Sequence, residues 1–390
     1  MKSVFLSNTS KIFIKRIAEH FKEGIEGANS LVSVSEISLS EKSELKKGEK
    51  YTIINPTIRD EIESNKWIAQ TLSFTINDKI IKVHLTHPIK SEKNSTEINQ
   101  INEIKRFFQK IKIQIFAWLW VASLESSVGC SSDLDIYIYF TNFKKELPKR
   151  RGEPIDELHV NTGFTYSCSM NSSGKNEINI YRKEEWFKVL IHESFHAFAI
   201  DYSNISTDII ERIDQKVLQE MFPLHIDLRF YETYCELWAE ILQIIYMNYT
   251  DILENKWTRF ERMIKVDQQH SVQQAVKVLK QQNMTYSDLF DSNEACKLRR
   301  MRYKEISPVF SYYLLKSIFY MGIDKYISWC SINNRGSLQL KKTEASLNSY
   351  VGLLRELYKS PIYMESMREH TKYVRMDGGD SQLKMSCFSA

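Results

Sequence analysis

The period of apolar positions changes along the chain. Ile12, Ile14, Ile17, Ala18 and Phe21 predict a short amphipathic helix over 10–25. A polar stretch follows to about Lys50. From Ile68 to Pro88 apolar and polar residues alternate, through Thr71-Leu-Ser-Phe-Thr-Ile76 and then Ile81, Val83 and Leu85. With Asn77-Asp78 between the two runs, this predicts a hairpin with a two-residue turn. Residues 90–95 are a charged linker. Glu97 to Ser126 predicts a long helix, polar at its start and almost wholly apolar by Trp118. Asp133 to Phe140, β-branched and aromatic, predicts a strand. Two shorter strands are predicted at 159–165 and 177–182, joined by the Ser/Asn/Gly run from Ser169 to Lys175. Beyond Lys183 the period is helical, over 183–202, 207–221, 225–249, 252–282, 306–330 and 343–372. The tail after Met376 reads as mobile. Strands precede helices, which is an α+β order with a helical second half.

Composition narrows this picture only a little. The chain has 390 residues, 43% of them hydrophobic, enough for more than one packed region. The net charge of +4 is small and spread out, so neither nucleic acid nor a membrane surface is expected as a partner. The two densest basic runs, around Lys149-Arg150-Arg151 and Arg299-Arg300, read as solvated faces. The longest apolar run, Ile115 to Leu124, is too short to span a bilayer. Asn8, Ser10, Lys11, Lys15 and Arg16 break up any signal-peptide core, so secretion is not expected. The six cysteines, Cys130, Cys168, Cys235, Cys296, Cys330 and Cys387, fit no metal-knuckle spacing. They are expected to be free thiols in a reducing, cytoplasmic setting.

Candidate chemistry sits in one run, Val189-Leu190-Ile191-His192-Glu193-Ser194-Phe195-His196-Ala197-Phe198. Two histidines at i and i+4 share a helix face, so both imidazoles can reach one zinc ion. Glu193, one position after the first histidine, projects beside the metal as general base. Apart from the motif, the run from Val189 to Ile200 is uncharged, and no Pro or Gly interrupts it.

Such a site needs a third protein ligand. Ala199 and Tyr202 stand where a three-histidine pattern would place a glycine and a histidine. Asp201, near the helix end, reads as an exposed or capping-region residue. The segment His225 to Leu242 offers more. At helical spacing His225, Arg229, Glu232, Glu236 and Glu240 fall on one stripe, with Tyr231, Tyr234, Cys235 and Trp238 on the other side. In isolation this is an amphipathic helix with a solvated polar face. Beside the zinc motif we expect Glu236 as ligand and Glu232 as the alternative. Glu240, one turn on, is expected to fix a ligand imidazole from the second layer.

These residues resemble the gluzincin group of metallopeptidases. Glu236-Leu-Trp-Ala-Glu240 is similar to the third-ligand helix of the anthrax lethal factor-like family. The resemblance covers two helices. It implies a zincin-like catalytic region at 96–250, one zinc per chain, Glu236 as ligand and Glu240 behind it. The family has a tyrosine two turns before the ligand to hold the oxyanion. Arg229 stands there in this chain, so either Arg229 takes that role, or a loop residue does, or the site lacks the group. The regions around the catalytic one are then 1–95, with a helix and a hairpin, a helical domain at 251–376 and a flexible tail at 377–390.

A second resemblance covers Glu153-Pro-Ile-Asp156, Val160-Asn-Thr-Gly-Phe-Thr165 and Arg182-Lys-Glu-Glu-Trp-Phe-Lys188. These are similar to uncharacterised putative metallopeptidases of large DNA viruses of eukaryotes. That implies host cytoplasm or virion as the setting and virion proteins as partners. The expected function is a zinc metallopeptidase acting on a peptide or protein, whose backbone pairs with an edge strand at 177–182 or 159–165. The alternative is a zinc-stabilised structural or virion interaction protein without turnover. His84 and His87 are expected to be surface residues at a strand end.

Overall fold

The computed structural model describes residues 5–35, 38–40, 45–64, 66–89, 97–168, 174–375 and 381–388. The elements, in order, are α1 (Asn8–Leu31), β1 (Ser33–Val34), β2 (Ser38–Ser40), α2 (Pro56–Ser64), β3 (Lys66–Ile76), β4 (Lys79–Ile89), α3 (Glu97–Glu125), β5 (Asp133–Tyr139), α4 (Glu157–Val160), β6 (Gly163–Thr165) and β7 (Lys175–Ile180). Helices follow: α5 (Trp186–Ala197), α6 (Thr207–Glu220), α7 (Phe230–Leu253), α8 (Thr258–Gln281), α9 (Glu294–Met301), α10 (Lys316–Met321), α11 (Ile323–Asn333), α12 (Glu344–Leu357) and α13 (Pro361–Tyr373). A π-helical turn, Phe310–Leu315, leads into α10. The protein is α+β, with a helical C-terminal half.

Two compact units account for the chain. One comprises Lys15–Phe143 and Thr162–Ile200; the other comprises Met1–Ile14, Lys144–Asn161 and Asp201–Ser389.

The first unit is built on a mixed sheet with the order β1-β3-β4-β5-β7-β6, and β2 also pairs with β3. The β3–β4 hairpin is antiparallel and turns at Asn77 and Asp78, both with positive φ (47° and 64°). That is the backbone a two-residue hairpin turn requires, and Asn and Asp tolerate it. β4, β5 and β7 run parallel, and β6 returns antiparallel along β7. Strand alternation gives the sheet two unlike faces. One buries Ile68, Leu72 and Phe74, Ile81, Val83 and Leu85, Leu134, Ile136 and Ile138, and Ile178 and Ile180. Helices α3 and α5 pack on it; Phe74 meets Phe116 edge to face at 5.1 Å. The other face carries Thr71, His84, Asp135, Tyr137, Glu177 and Asn179.

Several expectations change here. The run 159–165 divides into α4, capped by Asp156, and the short β6. β7 lies inside the sheet between β5 and β6, so of the two expected edge strands only β6 is at an edge. His84 is buried in mid-strand, not exposed at a strand end. Six free thiols were expected, yet Cys130 and Cys168 form a disulfide with Cα atoms 5.5 Å apart. Closing a loop of 38 residues stabilises the fold by roughly 3–4 kcal/mol in the chain-entropy view. The thiol argument for a reducing compartment loses those two residues. Cys235, Cys296, Cys330 and Cys387 remain free. Among the described residues no helix is long and apolar enough to cross a membrane.

The second unit is helical. Its C-terminal strand of chain, expected to be mobile, lies partly outside the described residues at 376–380. Over 381–388 it is packed, with Leu383, Met385 and Ser386 buried. Leu147 N–H donates to Ser381 O and Leu383 N–H to Lys145 O, at 2.7 and 2.9 Å. Tyr313 donates to Leu383 O, and Asp267 accepts from the Ser386 hydroxyl and the Cys387 amide.

Candidate metal site on helix α5

Helix α5 is apolar nearly all round, which is the pattern of a buried helix rather than a surface one. All twelve of its residues are buried. Within the first unit, α3 and the loop after it hold the helix in place. Trp118 of α3 stacks on Phe195, with centroids 6.1 Å apart and rings 6° from parallel. Its indole N–H donates to Ser194 Oγ at 3.1 Å, and Ser194 donates on to Leu190 O at 2.6 Å. At the C-terminal end the loop after α3 closes over carbonyls the helix leaves unpaired. Ser131 Oγ donates to Ala197 O at 2.7 Å and Ser127 N to Phe198 O at 3.0 Å. Cys130 in that loop carries the disulfide. Gly163 of β6 passes close to the helix. A Cβ there would fall 2.9 Å from Val189 Cγ1 and 2.8 Å from Asn179 O, so no larger residue fits without displacing the strand.

Within this sealed helix, four residues keep measurable exposure: Val189 at 5%, His192 at 5%, Glu193 at 8% and His196 at 8%. The other eight are at 1% or below. Positions i, i+3, i+4 and i+7 form one stripe along a helix. The helix therefore meets solvent only along the line that carries the motif.

The two imidazoles turn toward each other. Their Nε2 atoms are 3.3 Å apart, with ring centroids at 5.1 Å and planes at 74°. Two nitrogens bound to one tetrahedral zinc at roughly 2.0–2.1 Å lie about 3.3 Å from each other. An N–H···N bond between one donor and one acceptor tautomer has a similar separation, so the spacing fits a shared ion without requiring one.

Neither protein-family models, curated proteins nor solved structures match this chain. Its chemistry rests on its own residues.

In the second unit, α7 carries the three candidate glutamates. Every residue from Glu232 to Ile245 is buried, and Glu232, Glu236 and Glu240 are 6%, 2% and 0% exposed. A helix with a solvated polar face is therefore excluded. The start of the expected stripe is not helical. α7 begins at Phe230, His225 is exposed and precedes it, and Arg229 is the N-cap residue. The Arg229 guanidinium is half-exposed and sits 3.3 Å from Asp227. The helical spacing that put Arg229 on one stripe with the glutamates does not hold. Glu240 Oε1 accepts from Lys316 Nζ at 2.6 Å, with both side chains fully buried. Asp201 is buried rather than exposed; it accepts from the Ser203 amide and hydroxyl, which makes it a turn cap.

One buried acid was not anticipated. Asp214 of α6 accepts the Phe230 amide at 3.0 Å and so caps α7 from a different helix. Burial pushes its carboxyl up to about 8, against the lowering effect of that hydrogen bond. No local signal in the sequence marks such a cap.

Proposed function

We propose that the chain is a zinc-dependent metallopeptidase whose α5 supplies two metal ligands, His192 and His196, and the general base, Glu193. The 3.3 Å approach of the two Nε2 atoms is the observation that carries this reading. It is supported by the stripe of residual exposure that coincides with the motif. The third ligand we assign from sequence resemblance to α7, to Glu236, with Glu232 as the alternative. The mixed sheet with α5 on one face and β6 at its edge agrees with a zincin-like catalytic region.

A zinc ion supplies Lewis acidity, polarising the scissile carbonyl and acidifying an attacking water. The chain does the rest. His192 and His196 bind through Nε2, and Ser194 with Trp118 fixes the helix turn between them. Glu193 takes the proton of the attacking water and delivers it to the departing amine. No residue is assigned to the oxyanion, since Arg229 is turned to Asp227.

The test is metal content and hydrolysis of a peptide library by the purified chain. One zinc per chain is expected, lost in His196→Ala and kept in Glu193→Gln, with hydrolysis lost in both. Between the acids, the variant that loses zinc, Glu236→Gln or Glu232→Gln, names the third ligand. A folded chain that binds no zinc overturns the proposal. Zinc binding without hydrolysis of any peptide leaves a zinc-stabilised structural protein instead.

A further inference from the structure

The sheet face turned away from α3 and α5 carries a second set of reactive groups. Cross-strand register sets Thr71 of β3 opposite His84 of β4, and His84 opposite Tyr137 of β5. Asp135 lies two residues before Tyr137, on the same face. Thr71 Oγ1 is 3.2 Å from His84 Nδ1, and His84 Nε2 is 3.3 Å from Asp135 Oδ1. The imidazole stacks on Tyr137, centroids 4.7 Å apart and planes at 24°. His84 is 7% exposed.

The protons in this chain of contacts follow from chemistry. A carboxylate only accepts, so His84 Nε2 carries the hydrogen and donates to Asp135. Nδ1 is then an acceptor, and the Thr71 hydroxyl donates to it. Burial lowers the proton affinity of the ring and Lys46 lowers it further, while the bond to Asp135 opposes this. The lowering favours the neutral ring, the form a base needs. Thr71 is half-buried and opens onto a cavity of about 670 Å3, which His84 also lines. Ser35, Ser73 and Thr86 give it a hydroxyl-rich wall, and Lys46 is the one cation among the described residues that line it.

We propose that Thr71, His84 and Asp135 form a second hydrolytic site, with Thr71 as nucleophile toward small carboxylic esters that carry an anionic group. The hydroxyl, base and orienting acid stand in the order that activates a nucleophile. Lys46 selects the negative charge. His84 Nδ1 takes the Thr71 proton as Oγ1 bonds to the ester carbonyl carbon. The bond to the alkoxide breaks, and the alkoxide leaves with that proton as an alcohol. Water then attacks the acyl-threonine. Its proton passes through Nδ1 back to Oγ1, and the carboxylic acid departs. Ester and water are consumed; alcohol and acid are formed. Asp135 acts as a positioning residue throughout. This site shares no residue with α5 and stands independently of the zinc reading.

The experiment uses the full chain carrying Glu193→Gln, with a chelator present, so that zinc hydrolysis is silent. The probe is the 4-nitrophenyl monoester of succinic acid. A burst of 4-nitrophenol is expected, with a succinyl adduct on Thr71 after acid quench, read by mass spectrometry. Thr71→Val should abolish both. His84→Gln should slow the burst at least about 100-fold, and Asp135→Asn should shift its pH profile. Thr71→Ser should restore it, which separates a nucleophile from a structural threonine. An unmodified Thr71, a burst that survives Thr71→Val, or an adduct confined to lysines overturns the proposal.

Discussion

Helices α5 and α7 are both apolar, both buried, and both carry ionisable side chains, yet they handle charge in opposite ways. α7 pairs one of its acids internally. Glu240 meets Lys316 with neither side chain exposed, and Lys316 also donates to Met385 O at 3.1 Å. Its N-terminus is capped by Asp214, whose carboxyl is held protonated by burial up to about pH 8. α5 instead collects His192, Glu193 and His196 along the one line where it touches solvent, with two imidazole nitrogens facing each other. A buried charge must be paired or neutralised. On α7 the Glu240–Lys316 pair achieves that within the fold; on α5 the two imidazoles stand with Nε2 atoms 3.3 Å apart.

The sharpest way to break this contrast is to remove half of the α7 pair. Lys316→Met strands a buried carboxylate and should cost about 3–5 kcal/mol in urea unfolding. Adding Glu240→Leu should recover most of it. If Lys316→Met is neutral, the charge on α7 is not compensated as described.

Asp214 tests the same helix through pH. Its folded-state carboxyl titrates near 8, and in the unfolded chain near the ordinary 3.8. The folded state therefore holds the proton more tightly, and the stability from this group is full below about pH 4. It declines as pH rises toward 8, with a slope approaching about 1.4 kcal/mol per pH unit. Asp214→Asn keeps an acceptor for the Phe230 amide and has no charge to bury. Unfolding measured from pH 5 to 8 should lose that part of its slope. Glu305, also raised to about 8 by burial, should keep its own share.

The smallest effect belongs to α5. Ser194→Ala leaves the Trp118 indole N–H without its acceptor and should cost about 1–2 kcal/mol. Zinc content should be unchanged, because the serine faces away from the motif stripe. Loss of zinc in that variant would mean that helix position, more than ligand identity, governs binding.

How much of this was legible follows the range of the interactions. The hairpin could be foreseen because its alternation and its Asn77-Asp78 turn are adjacent in sequence. α3, β5 and the His192–Glu193–His196 motif were legible for the same reason. The short β1 and β2 and the helix α2 were not, since polar strands of two or three residues exist only by pairing with β3. The start of α7 was set too early, at 225 instead of Phe230, because its cap comes from another helix, 16 residues away in sequence. The Cys130–Cys168 bridge joins positions whose spacing carries no signature.

The amino-acid sequence alone determined which side chains could share one turn of helix or one face of a strand, because those periods are properties of the local backbone. Whether a glutamate is solvated or sealed against a lysine 76 residues away was decided by tertiary packing. So was the alignment of Thr71, His84 and Asp135 across three strands. Burial and strand register are set by contacts between distant segments, and no local pattern encodes them.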